Sequence, residues 1–500
     1  MKKKKNGRDE ASALSTITGG ASLFFIGQFF SNIFGLAFNL ILTRGLGAMQ
    51  YGIYTYAKTL AVFFVTFAQL GTGKSLLRFI PAVDDPEQRN IVAGLAYLTT
   101  LFGSTVVGTI LFLFAPKISF FTLNEPLLTN TIRVLAIALP FNTALNLTNS
   151  IFRASENLQY QVFVSDFLKN IIRVLLVGSA VYFGFSLVGI VVAITIGLIL
   201  STGVGISLLY SKTDIWPSVG NPTNGFYSFY SYSVPLTLKD LGQKMYTRSD
   251  ILMVGFFLSG PAVGIYRVSI LLSAFLKLPL SAVNQLFPPI ASGLNAENER
   301  EELSSVYETV TRWVFTVSLL PSLVMIVYSQ EILAVFGSEF TGGAAVLVLF
   351  AIAKLTSSVV GPSGFLLMMT DHQYLNFANQ LTLGILNIIL NYLFIQQFGF
   401  VGAAVATAGT LAAINLLRVG QVWYTERMTP YSSKFLKPLF AGVCAAVTML
   451  GCTTIADGYL LLAFGSIVGL IVFGSTLVAL GIEREDREFY TENVSPRLPK

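Results

Sequence analysis

The sequence is poor in charge. Only 12% of its 500 residues are Asp, Glu, Lys or Arg, whereas 53% are hydrophobic. An ordinary soluble domain carries about 25% charged residues, which keep its surface wetted by solvent. With so few charges a soluble fold could not cover itself. The composition therefore excludes a soluble globular protein, and nothing in it indicates a nucleic-acid partner.

Histidine and cysteine are also scarce. His372 is the only histidine, which argues against zinc sites and against acid–base chemistry by histidine. The two cysteines, Cys444 and Cys452, lack the spacing of metal ligands and are interpreted as packing residues. We therefore predict no catalytic residue, no bound metal and no cofactor.

Apolar stretches, by contrast, are abundant and long. A helix that crosses about 30 Å of hydrocarbon needs roughly 20 apolar residues, and such stretches recur from Ile17 to about Ile482. The first one, 17–44, is too long for a signal peptide despite the basic residues before it. The pattern predicts an all-α integral membrane protein of about fourteen helices: 17–44, 50–80, 90–114, 127–153, 159–183, 186–210, 226–258, 261–292, 303–329, 341–370, 374–396, 400–424, 432–456 and 458–482.

Basic residues in the loops are unevenly distributed. Most fall on the side of the N-terminal tail, whereas the opposite side has only Arg44, Lys117 and Arg133. Cytoplasmic loops of membrane proteins carry an excess of Lys and Arg. The asymmetry predicts a multi-pass protein of the cell membrane with both termini in the cytoplasm, as an even number of spans requires.

The chain also repeats itself weakly. Leu46, Gly52, Ile53 and Tyr54 recur 212 residues later, and similar matches begin at Gln159 and Val188 with nearly the same offset. Transporters are often built from duplicated helical bundles. We predict two six-helix lobes related by a pseudo-two-fold axis along the membrane normal: a cytoplasmic tail 1–16, an N-lobe 17–210, a cytoplasmic linker 211–225, a C-lobe 226–425, two extra helices in 426–482 and a second tail 483–500.

Charged residues within the predicted spans indicate where a site lies. Each costs roughly 2.5–3.5 kcal/mol at membrane depth, so such residues tend to face protein or water. Nine are cations and three are acids, a surplus that internal pairing alone does not explain. We predict a cationic, substrate-binding cavity formed by Lys58, Lys169, Arg173, Lys244, Arg248, Arg267, Lys277 and Lys354, with Asp166, Asp240 and Asp250 as possible coupling acids.

Helical spacing supports this prediction but leaves an alternative open. Residues three, four or seven positions apart share a helix face, and Asp166, Lys169 and Arg173 have that spacing. Asp240, Lys244 and Arg248 repeat it in the seventh span. The acids could instead pair with neighbouring cations and hold helices together, although such pairs account for only three of the cations.

Several short motifs resemble a known family. Arg44-Gly45-Leu46-Gly47, Tyr51-Gly52-Ile53-Tyr54 and Arg78-Phe79-Ile80-Pro81 resemble the opening of the Wzx-like polysaccharide-transport flippases of the multidrug/oligosaccharidyl-lipid/polysaccharide (MOP) exporter superfamily. Arg248-Ser249-Asp250 and Val263-Gly264-Ile265-Tyr266 are similar to its seventh and eighth spans. The resemblance covers nearly the whole chain in the number and order of its spans.

The resemblance implies a pair of helical bundles that alternate between inward-open and outward-open states. The substrate would be a polyprenyl-(pyro)phosphate-linked oligosaccharide, moved from the cytoplasmic to the external leaflet for cell-surface polysaccharide or glycoprotein biosynthesis. Lys and Arg suit recognition of its phosphate. Membrane lipids and glycan-assembly enzymes are the expected partners of a monomer, with possible coupling to Na⁺ or H⁺.

Three other functions remain as alternatives. A cation-coupled multidrug or metabolite exporter of the same superfamily commonly has an acid in its first span, whereas 17–43 contains none. A membrane glycan-assembly enzyme usually needs a sizeable loop with acidic catalytic residues, and the predicted external loops are short. A structural scaffold would give no reason for cations inside the membrane.

Overall fold

A computed structural model describes residues 2–223, 225–481, Glu483 and Asp486, with the backbone alone for 2–26 and Tyr246. Within these residues every regular element is helical. The predicted all-α, multi-pass membrane fold is confirmed. The predicted C-terminal tail lies, apart from Glu483 and Asp486, outside the described residues, and the predicted N-terminal tail falls where side chains are not described.

The first half of the chain is a succession of long helices. A seven-residue π-helix, Val162–Leu168, interrupts the fifth predicted span and leads directly into α6. The α-helices are α1 (Lys2–Gln69), α2 (Thr72–Phe79), α3 (Pro86–Phe121), α4 (Pro126–Ala154), α5 (Leu158–Gln161), α6 (Lys169–Tyr182), α7 (Leu187–Lys212) and α8 (Gly225–Phe257).

The second half has the same character, with short 3₁₀ turns at Ala274–Lys277, Ser338–Gly343 and Ser433–Phe435. The α-helices are α9 (Gly260–Ser273), α10 (Leu278–Ala296), α11 (Arg300–Val327), α12 (Ser329–Ala334), α13 (Ala344–Val360), α14 (Ser363–Met369), α15 (Gln373–Glu426), α16 (Leu436–Cys452) and α17 (Gly458–Ala479).

Two of these helices each contain two of the predicted spans. α1 is broken at Gly47, whose φ of 69° lies in the region that only glycine adopts readily. The chain reverses there, because the Tyr51 hydroxyl donates to Asn39 Oδ1 over 2.8 Å although the residues are twelve apart in sequence. α15 is broken in the same way at Gly399, with φ of 58°. Both breaks fall where the sequence predicted a loop between spans.

Ten helical segments of the described chain are long and apolar enough to cross a membrane. Two of them, Gly27–Gln69 and Gln373–Glu426, contain the reversals at Gly47 and Gly399. The charged fifth and seventh predicted spans, which contain α6 and α8, are helical but fall outside that set. The described helices thus follow the predicted segments in order, and fourteen crossings remain a prediction.

The chain divides into two compact units, Met1–Gly264 and Ile265–Lys500. The boundary lies beyond the predicted linker 211–225, so α8 packs within the first unit. The linker itself lies against the start of α3. The backbone N–H of Trp216 donates to Asn90 Oδ1 over 2.7 Å, and that of Ser218 donates to the Asn90 carbonyl oxygen over 3.0 Å. The two predicted lobes and the extra helices remain a prediction.

Buried amides hold together the two halves of α15 in the second unit. Asn379 and Gln421 exchange side-chain hydrogen bonds of 2.6 and 3.0 Å. Closer to the reversal at Gly399, Asn387 and Asn391 each donate to Thr407 Oγ1 over 3.3 Å. Hydrogen bonds between membrane helices of this kind contribute about 0.6 kcal/mol each. They fix the register of the pair.

Asp486 ties the segment after the last helix to α11. Its two carboxylate oxygens accept hydrogen bonds of 2.7 Å from both terminal nitrogens of Arg312, and Oδ1 accepts a third from Trp313 Nε1. Burial acts to raise the pKa of Asp486, but the bonds from Arg312 and Trp313 outweigh it and hold that pKa below its ordinary value. The contact therefore stabilises the fold at pH values above the ordinary pKa of an aspartate. This stabilisation is lost as the pH falls through the lowered pKa of Asp486.

Candidate anion-binding cavity

A cavity of about 190 Å³ lies inside the first unit, between the second half of α1 and helices α4, α6 and α7. The cavity is partly open, and most of its lining is apolar, which strengthens the electrostatic interactions of its charged side chains. Its lining consists of Tyr54, Lys58, Ala61, Val62, Leu135, Ala138, Leu139, Asn142, Lys169, Arg173, Ile194, Thr195 and Leu198.

Three of the eight predicted cations meet in this cavity. Lys58 comes from α1, and Lys169 and Arg173 come from α6, where their spacing of four residues places them on one face. No aspartate or glutamate belongs to the lining. The structure therefore assembles a positively charged cavity from residues more than a hundred positions apart in sequence.

An aromatic ring supports two of these cations. The guanidinium carbon of Arg173 lies 4.0 Å from the centre of the buried Phe38 ring, and Lys58 Nζ lies 5.8 Å from the same centre. The face of an aromatic ring attracts a cation without using its N–H donors. Phe38 thus stabilises both charges, and its contact with Arg173 uses none of the guanidinium N–H donors.

Arg173 also has a donor that is not satisfied. Its Nε is buried and has no hydrogen-bond partner among the described residues. Buried donors nearly always have partners, and an orphaned one calls for an explanation. Since Nε belongs to a side chain that lines the cavity, an anionic ligand there is a natural acceptor.

Asp166 sits beside the cavity rather than in it. It lies in the π-helix, so the regular spacing that put it on one stripe with Lys169 and Arg173 does not hold through this segment. The side chain of Asn170 donates to the carbonyl oxygen of Asp166 over 2.8 Å and to Ser31 Oγ over 3.1 Å. These bonds hold the irregular segment against α1. π-Helical turns are frequent at functional sites.

The charged residues of α8, in the seventh predicted span, have different contacts from those that the sequence predicted. Asp240 forms an ion pair with Lys74 of α2, and Lys244 donates to the hydroxyl of Thr66 on α1. Asp250 is buried, and its carboxylate accepts from the backbone N–H of Ile251 over 2.8 Å. Arg248 is half-buried on the same helix. The suggested pairing of Asp240 with Lys244 is replaced by two contacts to other helices.

Together these contacts form what we name the polar latch, between α8 and the region of Thr66–Phe79. The hydroxyl groups of Ser75 and Ser233 also share a hydrogen bond, and the Arg78 guanidinium lies 4.4 Å from the centre of the Tyr232 ring. Exposed ion pairs contribute only about 0–1 kcal/mol each. The members of the polar latch are Thr66, Lys74, Ser75, Arg78, Tyr232, Ser233, Asp240 and Lys244.

The remaining predicted cations belong to the second unit. Arg267 is half-buried on α9, and Lys354 is half-buried on α13. Lys277 is exposed and ends the 3₁₀ turn between α9 and α10. A role for these three in binding remains a prediction.

Sequence reasoning missed the uncharged members of the cavity. Asn142 and Thr195 are polar residues on otherwise apolar helices, a signal that could have identified them. Phe38 gives no such signal, because one more phenylalanine in an apolar span is unremarkable in sequence. Its importance appears only from the position of its ring between two cations.

Membrane-length helices that surround a cavity with cationic side chains in its lining are typical of a membrane transporter. Residues 17–294 match the model of the family described as polysaccharide biosynthesis protein, and the chain belongs to that family. The predicted resemblance to the polysaccharide branch of the superfamily is confirmed.

Two curated relatives come from Haloferax volcanii. The probable low-salt glycan biosynthesis flippase Agl15 is 30% identical over 228 residues, which cover 44% of this chain and 47% of that protein. The probable flippase AglR is 29% identical over 221 residues, or 43% and 44% of the two chains. The chain thus matches about half the length of these relatives.

Solved structures show the same fold. The lipid II flippase MurJ in an inward closed conformation gives a TM-score of 0.72 at 15% identity, covering 92% of this chain and 98% of that one. An inward-facing multidrug resistance MATE-family transporter of the MOP superfamily gives 0.64 at 14% identity, covering 79% and 94%. At such identities the likeness concerns the fold alone.

Proposed function

We propose that this protein is a flippase for a polyprenyl-(pyro)phosphate-linked oligosaccharide. It moves its substrate from the cytoplasmic to the external leaflet of the cell membrane, with both termini in the cytoplasm. The product serves the synthesis of a cell-surface polysaccharide or glycoprotein. The observation that carries the proposal is the cavity with Lys58, Lys169 and Arg173 in its lining and no acid among the residues that line it.

The charge and the size of the cavity both favour binding of the phosphate part of such a substrate. Arg and Lys bind phosphate through charge-assisted hydrogen bonds, and the orphaned Nε of Arg173 offers one. Pockets that enclose drug-sized molecules measure roughly 300–1,000 Å³. At about 190 Å³ this cavity suits a phosphate or diphosphate group, while the glycan lies in water and the prenyl chain lies in lipid.

The names of the relatives support the same proposal. Agl15 and AglR are both described as probable flippases, the former of glycan biosynthesis. An exporter of organic cations is disfavoured by the cationic lining, and an enzyme is disfavoured by the lack of an acid there. Asp166, beside the cavity, is the acid best placed to couple transport to H⁺ or Na⁺.

Deletion of the gene tests the proposal. We expect lipid-linked oligosaccharide to accumulate in the cytoplasmic leaflet, where an external glycosidase cannot reach it, and surface glycan to be lost. Expression of the wild-type chain should restore both. Normal surface glycan in the deletion strain, with no accumulated intermediate and no second flippase gene expressed, would contradict the proposed function.

A further inference from the structure

A second cavity of the first unit, of about 420 Å³, lies between α3, α4 and α7. Residues 217–219 of the linker close one side of it. Its volume falls within the range of roughly 300–1,000 Å³ that is typical of ligand pockets. We name it the lateral cavity, and its lining includes Tyr97, Leu98, Ala144, Thr202, Ile206 and Tyr210.

Backbone contacts hold the linker in place at the edge of the lateral cavity. A Cβ on Gly94 would lie 1.9 Å from the carbonyl oxygen of Ser218, so glycine at this position allows the linker backbone to lie directly on α3. The N–H of Ser218 also donates to the carbonyl oxygen of Asn90 over 3.0 Å. The cavity is therefore a preformed feature of the fold.

The lateral cavity opens on an apolar surface of α3. Leu98 belongs to its lining and is 52% exposed. Leu101, Phe102 and Val106, which follow on the same helix, are exposed as well. α3 is long and apolar enough to cross a membrane, and a surface without polar residues on such a helix faces lipid. A ligand would therefore enter the cavity from the bilayer.

Two polar side chains in the lining already have hydrogen-bond partners. The hydroxyl group of Tyr97 lies 2.7 Å from that of Thr148, and the two share a hydrogen bond. The hydroxyl group of Thr202 lies 2.8 Å from the carbonyl oxygen of Leu198 and 3.2 Å from that of Phe141, and it donates to them. These groups need no ligand, in contrast to Nε of Arg173 in the cationic cavity. The lining thus suits a hydrocarbon chain, which binds by van der Waals contact alone.

The depth of the lateral cavity matches one leaflet of a bilayer. Its lining on α7 runs from Thr202 to Tyr210, which corresponds to about 12 Å at 1.5 Å per residue. Half of the hydrocarbon core measures about 15 Å. The rings of Tyr210 and Trp216 pack edge to face with their centres 5.4 Å apart, and such aromatic residues are enriched at the membrane surface. The cavity therefore extends from the membrane surface into one leaflet.

We propose that the lateral cavity binds an acyl chain of a phospholipid from the leaflet on the side of the linker. A phospholipid fits better than the prenyl chain of the transported substrate, because α4 separates the two cavities. Asn142 lines the cationic cavity, whereas Pro140 and Ala144 line the lateral one. Two positions along a helix correspond to about 200°, so these side chains point to opposite faces of α4. The contact of Thr202 with the Phe141 carbonyl oxygen closes α7 against α4 between them.

Ile206→Trp tests this site against a matched substitution on the same helix. Ile206 lines the lateral cavity, whereas Val204 is exposed on α7 and lies outside that lining. The full-length protein is reconstituted in nanodiscs of phosphatidylethanolamine and phosphatidylglycerol and then released into detergent. Native mass spectrometry counts the phospholipid molecules that remain bound.

We expect the wild type and Val204→Trp to retain one phospholipid molecule each, and Ile206→Trp to retain at least fivefold less. Equal retention by the wild type and Ile206→Trp, or none by the wild type, would overturn the proposal. Displacement of the phospholipid by an equimolar amount of polyprenyl phosphate would also overturn it, because the chain would then come from the other source.

Photolabelling of the wild type provides a second test should Ile206→Trp insert poorly. A phospholipid with a diazirine in one acyl chain should label residues 97–101 and 202–210 at least fivefold more than residues 110–114, an apolar and largely exposed stretch of α3 outside the cavity. Equal labelling of the two regions would contradict the site. Neither test measures transport, so failure of the chain to move lipid-linked glycan would refute the proposed function and leave the lipid site standing.

Discussion

Replacing Arg173 with glutamine is expected to lower the rate of glycan export about 10- to 150-fold. Charge-assisted hydrogen bonds contribute about 1.5–3 kcal/mol each, and every 1.4 kcal/mol corresponds to a factor of ten. Arg173 offers the orphaned Nε and lies against Phe38, so we expect its replacement to have the largest effect of any single change in the cavity lining. Replacing Lys58 and Lys169 with glutamine as well should reduce export below detection. Export is measured as surface glycan per molecule of inserted protein.

Lys117→Gln is the matched control for these variants. Lys117 is an exposed cation outside the cavity, beside the ring of Phe114 at 5.3 Å. Its replacement removes the same charge from the chain and should leave export unchanged. Equal losses from Arg173→Gln and Lys117→Gln would mean that total charge matters and the cavity does not.

Crosslinking the polar latch is expected to stop transport completely. The hydroxyl groups of Ser75 and Ser233 are in hydrogen-bond contact, so cysteines at these positions should form a disulfide readily. The bond would hold α8, the first helix of the predicted C-lobe, against α2 of the predicted N-lobe, and we expect these lobes to part during transport. Transport is measured before and after reduction in a chain that lacks the two native cysteines. Reduction should restore at least most of the activity.

Thr72 and Thr100 supply the control for this experiment. Their hydroxyl groups lie 2.8 Å apart between α2 and α3, both inside the predicted N-lobe. A disulfide there joins two helices of the same predicted lobe, which would move together if the two lobes alternate, so transport should continue. Inhibition by both disulfides alike, or by neither, would contradict the role given to the polar latch.

The sequence identified three of the residues that line the cavity, and their role in binding stays a prediction. Charged side chains at membrane depth are energetically costly and often mark functional sites. This rule identifies Lys58, Lys169 and Arg173 from the sequence. Their convergence follows from spacing for Lys169 and Arg173, which share a face of α6. Lys58, on α1, lies in the same cavity because of tertiary packing, which the periodicity of the sequence does not reveal.

Other features could not be predicted for identifiable physical reasons. The partner of Asp240 is Lys74, 166 residues away, whereas the sequence offered the nearer Lys244. The π-helix at Val162–Leu168 changes the register of Asp166, and no composition rule marks such a segment. The glycine repeats were visible in the sequence, but only backbone coordinates show that the repeated glycines touch one another.

We propose that the cavity recognises the phosphate of a lipid-linked glycan. The most direct measurement is binding of a polyprenyl diphosphate to the purified protein in nanodiscs, compared with the uncharged polyprenol of the same length. We predict saturable binding of the diphosphate alone, weakened about 10- to 150-fold by Arg173→Gln and unaffected by Lys117→Gln. Equal binding of diphosphate and polyprenol, or equal affinity in the wild type and Arg173→Gln, would contradict the account.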